Sequence, residues 1–162
     1  ARGPEDVHTV VSCYKEAIAS VLDGTFTEEK KDAWDERLAT VFNRGFWDGY
    51  YQGQTIGEWN KNYGSCATEK KVLVGKVVKY FSKLGVAEVA VEASEFGVGD
   101  KLLVTGNATG ALWLTADEIR YDLKPVERAL QRQRVSIPVP EKVRPNDKLY
   151  KLITVQEIKE IK

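Results

Sequence analysis

Residues 72–93 read VLVGKVVKYFSKLGVAEVAVEA, and their alternation decides the fold. Val72 to Phe81 is apolar and β-branched. Beyond a turn at Lys83–Gly85, Ala87, Val89, Val91 and Ala93 fall on one side and Glu88, Ala90 and Glu92 on the other. That period of two belongs to strands with one buried face. Downstream, Lys101–Thr105, Ala111–Thr115, Glu118–Leu123, Arg134–Val139 and Leu149–Thr154 repeat the pattern between Gly, Asn and Pro turns, with Ile119, Tyr121 and Leu123 expected on one face. Short strands at this spacing predict a small antiparallel barrel of about six or seven strands, closed or nearly so. Gly97-Val98-Gly99-Asp100 reads as a tight turn in which glycine supplies positive φ and Asp100 caps it. Lys124–Gln133 reads as a helical turn or an irregular crossover.

Upstream the period changes to that of a helix. Val7, Val10, Val11, Tyr14, Ile18, Val21 and Leu22 recur at three-to-four spacing after Pro4, Glu5 and Asp6, which suit a first turn, and Gly24 ends the run. Thr27 with Glu28 and Glu29 opens a second helix with an apolar side of Ala33, Trp34, Leu38, Val41 and Phe42, stopping near Asn43–Gly45. The fold class is therefore α+β, mainly β. Residues 1–43 form a helical hairpin, 44–71 a loop rich in Gly and aromatics, 72–154 the barrel and 155–162 a charged tail.

With 24 basic and 24 acidic residues in 162, the chain carries no net charge, which excludes a wholesale polyanion binder. A local patch is present: Lys124 to Lys151 holds eight basic residues against three acidic ones. The chain has no Met and begins Ala1-Arg2-Gly3-Pro4, so it reads as a piece of a longer protein. No apolar run approaches the roughly 18 residues of a membrane span, so no membrane partner is expected. Two cysteines, Cys13 and Cys66, make neither a disulfide framework nor a metal site, and a reducing, cytoplasmic setting fits them.

The parts for independent catalysis are scarce. His8 is the one histidine and sits at the edge of the first helix's apolar stripe, where packing is the plainer role. Cys13 lies on the opposite flank, with no neighbouring base to activate it. No catalytic residue, metal ligand or cofactor is therefore assigned to these residues. The candidates for binding are of two kinds. Arg44, Phe46, Trp47, Asp48, Tyr50 and Tyr51 lie in the aromatic loop, where Asp48 is either a turn-forming acid or one desolvated among rings. Arg128, Arg132, Arg134, Lys142, Arg144 and Lys148 lie on the basic strip, with Trp113, Tyr121, Tyr150 and Lys151 nearby. Cations that meet phosphates beside rings that stack bases would make an RNA surface.

Four stretches resemble a known family in order and spacing: Gly3-Pro4-Glu5-Asp6-Val7-His8-Thr9-Val10-Val11 with Tyr14-Lys15-Glu16-Ala17-Ile18; Asn43-Arg44-Gly45-Phe46-Trp47-Asp48-Gly49-Tyr50-Tyr51-Gln52-Gly53; Val74-Gly75-Lys76-Val77-Val78; and Phe96-Gly97-Val98-Gly99-Asp100. From about residue 3 to 154 the chain is similar to the C-terminal part of the collagenase-like peptidases, family 32 of the peptidases of unknown catalytic type. The resemblance implies a larger N-terminal domain like a TIM barrel outside this stretch, and a C-terminal barrel like that of translation elongation factors. It also implies a parent hydrolase acting on collagen or gelatin, with relatives that hydroxylate a tRNA wobble uridine or ubiquinone precursors. The iron–sulfur ligands of those relatives belong to the N-terminal part, so none is carried onto Cys13 or Cys66. Trp47 and Asp48 stand where the family has small hydroxyl residues, and Ser94-Glu95-Phe96 replaces a more basic turn. The expected role is a non-catalytic accessory domain that positions RNA, in particular tRNA, for the catalytic domain. The alternative is a module binding collagen-like or unfolded polypeptide, or the parent's own N-terminal domain.

Overall fold

The computed structural model describes residues 2–46 and 65–154. Contacts divide the chain into two compact units, Ala1–Glu69 and Lys70–Lys162. The aromatic loop beyond Phe46 and the charged tail lie outside the described residues.

In the first unit, helix α1 runs Pro4–Leu22 with Pro4 in its first turn beside Glu5 and Asp6. Proline is preorganised there and the acids face the positive end of the helix dipole. Gly24, at φ 67°, turns the chain out of the helix. Helix α2 is Glu28–Thr40, and its first turn is capped by Thr27, whose hydroxyl accepts the Lys30 N–H at 3.3 Å. The Asn43 carbonyl then accepts the Cys66 N–H at 2.7 Å, and the Ala39 carbonyl accepts that of Thr68 at 3.0 Å. The two ends of segment 44–65 are thereby drawn together. Among the described residues no helix is long and apolar enough to cross a membrane.

The helices meet through polar groups. Trp34 Nε1 donates to Glu16 Oε2 at 3.0 Å, and Arg37 Nη1 donates to the same oxygen. Lys30 Nζ reaches the Thr25 carbonyl at 2.7 Å and the Ser20 hydroxyl at 3.4 Å. The α1 residues that are buried are Glu5, Cys13 and Ser20. The apolar stripe of α1 faces away from these contacts, with Val11 48% and Ile18 59% exposed.

The second unit is made of strands: β1 Glu69–Phe81, β2 Val86–Val91, β3 Phe96–Gly97, β4 Lys101–Gly106, β5 Gly110–Thr115, β6 Ile119–Tyr121, β7 Lys124–Val126, β8 Arg128–Ala129, β9 Arg134–Pro138 and β10 Lys148–Thr154. Eight form one sheet in the order β5-β4-β10-β1-β2-β9-β6-β7, while β3 pairs with β8 in a second, two-stranded sheet. Each pairing with a defined register is antiparallel. The α+β, mainly β class holds. The expected barrel does not close: β5 and β7 remain edges, and β7 is three residues long with Pro125 at its middle, the residue that edge strands tolerate and inner strands do not.

Alternation places the core as the sequence suggests. Val74, Val77, Ala87, Val89 and Val91 are buried with Phe96, Leu102, Val104, Ile119, Ile137 and Leu149. Two bulges bend β1. The Glu92 and Ala93 N–H groups both bond the Val74 carbonyl at 2.8 and 2.9 Å, and the register with β2 shifts between Val77 and Lys79. Such an extra residue increases local twist and re-aims side chains. The Gly97–Asp100 turn is capped by Asp100, which accepts the Gly97 N–H at 2.7 Å, and Gly99 takes φ 90°.

Two strand readings are corrected. Lys124–Gln133 is neither helical nor a crossover but contains β7 and β8. Ile119 and Tyr121 share a face as expected but Leu123 does not join them: β6 ends at Tyr121, Asp122 and Leu123 take φ 50° and 63°, and the chain reverses into β7. Two consecutive positive φ values are the signature of the tight turn that matches strand twist, and they carry Leu123 into solvent, 87% exposed.

Candidate nucleic-acid interface

The residues singled out in the sequence fall on both units. Arg44 and Phe46 are exposed on the helical unit, whereas Trp47, Asp48, Tyr50 and Tyr51 lie outside the described residues. On the strand unit, Arg134 is on β9 and Lys148 opens β10. Lys142 and Arg144 occupy the connection between those strands. Arg128 is on β8, paired to β3 at Gly97, and Arg132, at φ 72°, is in the turn that enters β9.

Register sorts these residues by face. Arg134 stands opposite Ala90, which stands opposite Lys76; one step along, Lys79, Glu88, Ser136 and Arg120 form a second row. Neighbours directly across a sheet share a face. Lys76, Lys79, Arg120 and Arg134 are all exposed, so the outer face of β1-β2-β9-β6 carries four cations. At about 4.8 Å per strand, Lys76 and Arg134 stand roughly 10 Å apart across β2. On the other half of the sheet, Trp113, Leu103 and Tyr150 are opposite one another on β5, β4 and β10. Lys71 Nζ sits 4.9 Å from the Tyr150 ring centroid, in cation–π range. Lys148 is two residues from Tyr150 on the same strand and thus on the same face. The Asp147 carbonyl accepts the Val77 N–H at 2.8 Å, which holds the Arg144–Lys148 turn against β1 beside Lys76.

Trp113 and Tyr150 thus flank the buried Leu103 on the side of the sheet that carries Lys148, while Arg134 lies on β9, five positions from β5 in the sheet order, and Lys142 and Arg144 lie in the chain between β9 and β10. Arg128 belongs to the β3–β8 pair, and the Arg132 N–H bonds the Val91 carbonyl at the end of β2 at 2.7 Å. Tyr121 is opposite the buried Val135, on the inner side of β6, and is not part of the outer face. The sequence reading omitted Lys71, Lys76, Lys79 and Arg120. Strict alternation sends Lys76 and Lys79 to opposite faces; the register shift at Val77/Lys79 returns both to the same one.

Ion pairs decide which cations are already engaged. Lys76 meets Glu92 at 2.9 Å, Arg120 meets Glu118 at 2.8 Å, Arg134 stands 3.9 Å from Glu88, and Lys151 meets Asp100 at 2.8 Å. Lys151, a quarter exposed, thus ties β10 to the Gly97–Asp100 turn and is not a surface contact. Arg128, Arg132, Lys142, Arg144 and Lys148 take part in no ion pair among the described residues. Over residues 70–154 there are fifteen basic residues against ten acidic ones.

Among the described residues, three side chains of the helical unit that could carry acid, base or nucleophile chemistry have shifted titration. Burial pushes the Cys13 thiol above its ordinary range, against the smaller pull of Arg37, which makes it a poor nucleophile. Hydrogen bonds from Arg37 and Trp34 hold Glu16 below the ordinary carboxylate range. Glu29 is held down by its own backbone amide and the Thr27 hydroxyl at the start of α2. His8 is exposed on α1. Among the described residues no group of three His, Cys, Asp or Glu side chains is placed to hold a metal.

Comparison with known proteins places the chain. The sequence profile of Peptidase family U32 matches residues 1–61. Two Porphyromonas gingivalis proteins named collagenase are 59% and 58% identical over 151 residues, 93% of this chain but 36% and 42% of their own lengths. An uncharacterized protease of Methanocaldococcus jannaschii is 30% identical over 159 residues, covering 94% of this chain and 38% of that one. The solved C-terminal domain of a Geobacillus thermoleovorans protein described as a U32 peptidase is 21% identical, with a TM-score of 0.47, over 49% of this chain and 90% of that one. The chain therefore spans about two-fifths or less of the curated relatives it matches. The family profile covers the helical hairpin and the collagenase relatives continue the match at up to 59% identity across nearly all the rest, so the chain is similar to proteins of Peptidase family U32.

Proposed function

We propose that the chain is the C-terminal accessory part of a U32 protein and that its strand unit positions an RNA substrate for the remainder of that protein. The observation that carries this reading is the sheet itself, which sets Trp113 and Tyr150 with Lys71 and Lys148 on one half and Lys76 and Arg134 on the outer face of the other. The rings offer sequence-tolerant stacking and the cations offer contacts to phosphate. The acids Glu88 and Glu92 beside them temper non-specific attraction. Transfer RNA is the substrate class that the family resemblance favours.

The test is a titration of the chain with unmodified tRNA at several salt concentrations. Wild-type affinity falls as salt rises, because each neutralised phosphate releases counterions. Lys142→Glu/Arg144→Glu lowers affinity about tenfold or more and flattens that salt slope. Trp113→Ala weakens binding by about 1–3 kcal/mol at every salt concentration. Unchanged affinity in both variants overturns the RNA reading.

A second reading rests on the open edge of the sheet. Strand β5 has a neighbour on one side only, and an extended polypeptide can add there through backbone hydrogen bonds. The name collagenase carried by relatives supports a collagen-like or unfolded polypeptide as the ligand of this second reading. That binding is insensitive to salt and survives Lys142→Glu/Arg144→Glu.

A further inference from the structure

On α1, successive steps of four, three, four and three residues connect Val7, Val11, Tyr14, Ile18 and Val21, with Val10 and Leu22 at the margins. At 100° per residue the stripe is about 120° wide and centred about 150° from the side that carries Cys13, Glu16 and Ser20. That second side meets α2. The stripe is therefore turned away from the hairpin's own interface, and Val7, Val11, Tyr14, Ile18, Val21 and Leu22 are each between 48% and 80% exposed. Six large side chains in one line exceed the scattered apolar residues usual on a surface.

We propose that this stripe is the docking surface for the rest of the full-length U32 protein, an apolar face of the chain beyond these 162 residues. Three observations select that occupant. The curated relatives have more than half their length outside the match, so in those proteins there is additional chain to cover it. The family profile covers α1 and α2 and stops at residue 61, before β1, which groups the hairpin with the family's common module. The stripe's width suits the surface of a globular body better than the narrower seam of a coiled coil. The flanks do not encode pairing with a second copy: His8, Lys15 and Leu22 lie along one side and Val10 and Ala17 along the other, without the opposite charges that set register in a coiled coil.

The experiment compares thiol labelling in the 162-residue chain and in the full-length protein. Val11→Cys and Ile18→Cys are introduced singly into a Cys66→Ser background, in which the remaining Cys13 is buried. Glu36→Cys, on the exposed side of α2, serves as the reference. Maleimide modifies both stripe positions rapidly in the 162-residue chain. In the full-length protein it modifies them about tenfold more slowly or less, since a docked thiol reacts only on opening, while the reference is unchanged. Equal rates in the two proteins overturn the proposal. Slow labelling in the 162-residue chain, together with a dimer by sedimentation, also overturns it and makes a second copy the occupant. Slowing of the reference by the same factor overturns it too, because protection is then not confined to the stripe.

Discussion

At position 75 a side chain has nowhere to go: a Cβ there would run into the Ala90 carbonyl oxygen, and the Ala90 carbon and Glu92 nitrogen are also close. Glycine is required because the bulge at Glu92–Ala93 draws the β2 backbone across β1. Gly75→Ala should lower stability by about 3 kcal/mol, measured by urea denaturation, since backbone atoms relieve overlap less readily than a flexible side chain. Glu16 gives a second prediction with a definite sign. Its folded-state pKa is lowered, so the stabilisation it supplies is full above the ordinary carboxylate pKa and is lost as pH falls through the folded value. The Trp34 indole N–H resonance should therefore titrate with a midpoint below the usual glutamate value of about 4.3, and Glu16→Gln should abolish that titration. These roles were hidden in the sequence. Gly75 reads there as one glycine in an apolar run, and Glu16 as a solvated acid whose partners lie 18 and 21 residues away.

Elements were legible where one periodicity had one cause. The alternation of Ala87, Val89 and Val91 reported burial directly, and all three are in the core. Thr27 and Gly24 marked helix ends because capping is local chemistry. Misreadings arose where a second cause intervened. The α1 pattern correctly indicated a helix but not which way its stripe points, because a period records the helix and its apolar side and not what that side faces. On β1, one extra residue reversed the alternation and concealed the Lys76–Lys79 pair. At Asp122–Leu123 the turn has the geometry preferred by Asn-Gly but not its residues. Replacing the pair with Asn-Gly should stabilise the strand unit by about 1 kcal/mol in thermal unfolding, because Leu123 no longer adopts a strained conformation. The outer face could be read only in part: Arg134 and Lys148 stood out by charge, while their placement relative to Trp113 and Tyr150 depends on a strand order, β5-β4-β10-β1-β2-β9, that connects distant parts of the chain.

Taken whole, the two units rest on different foundations. The strand unit encloses a core of seventeen buried residues, whereas Cys13 is the buried apolar residue of the described helices. Ile137→Ala should cost about 2–5 kcal/mol through cavity formation, while Ile18→Ala in the 162-residue chain should stay within about 0.5 kcal/mol. Hydrogen exchange should follow the same division, with protection greatest in β1, β2, β4, β9 and β10 and least in α1 and α2. The bond between Asn43 and Cys66 has a consequence for changes in the length of chain between them. Because segment 44–65 leaves and returns at one point, lengthening it adds only loop-closure entropy, about 0.6 kcal/mol per doubling. A change of length between Asn43 and Cys66 therefore leaves the meeting of its two ends in place and costs the helical unit little through chain closure alone.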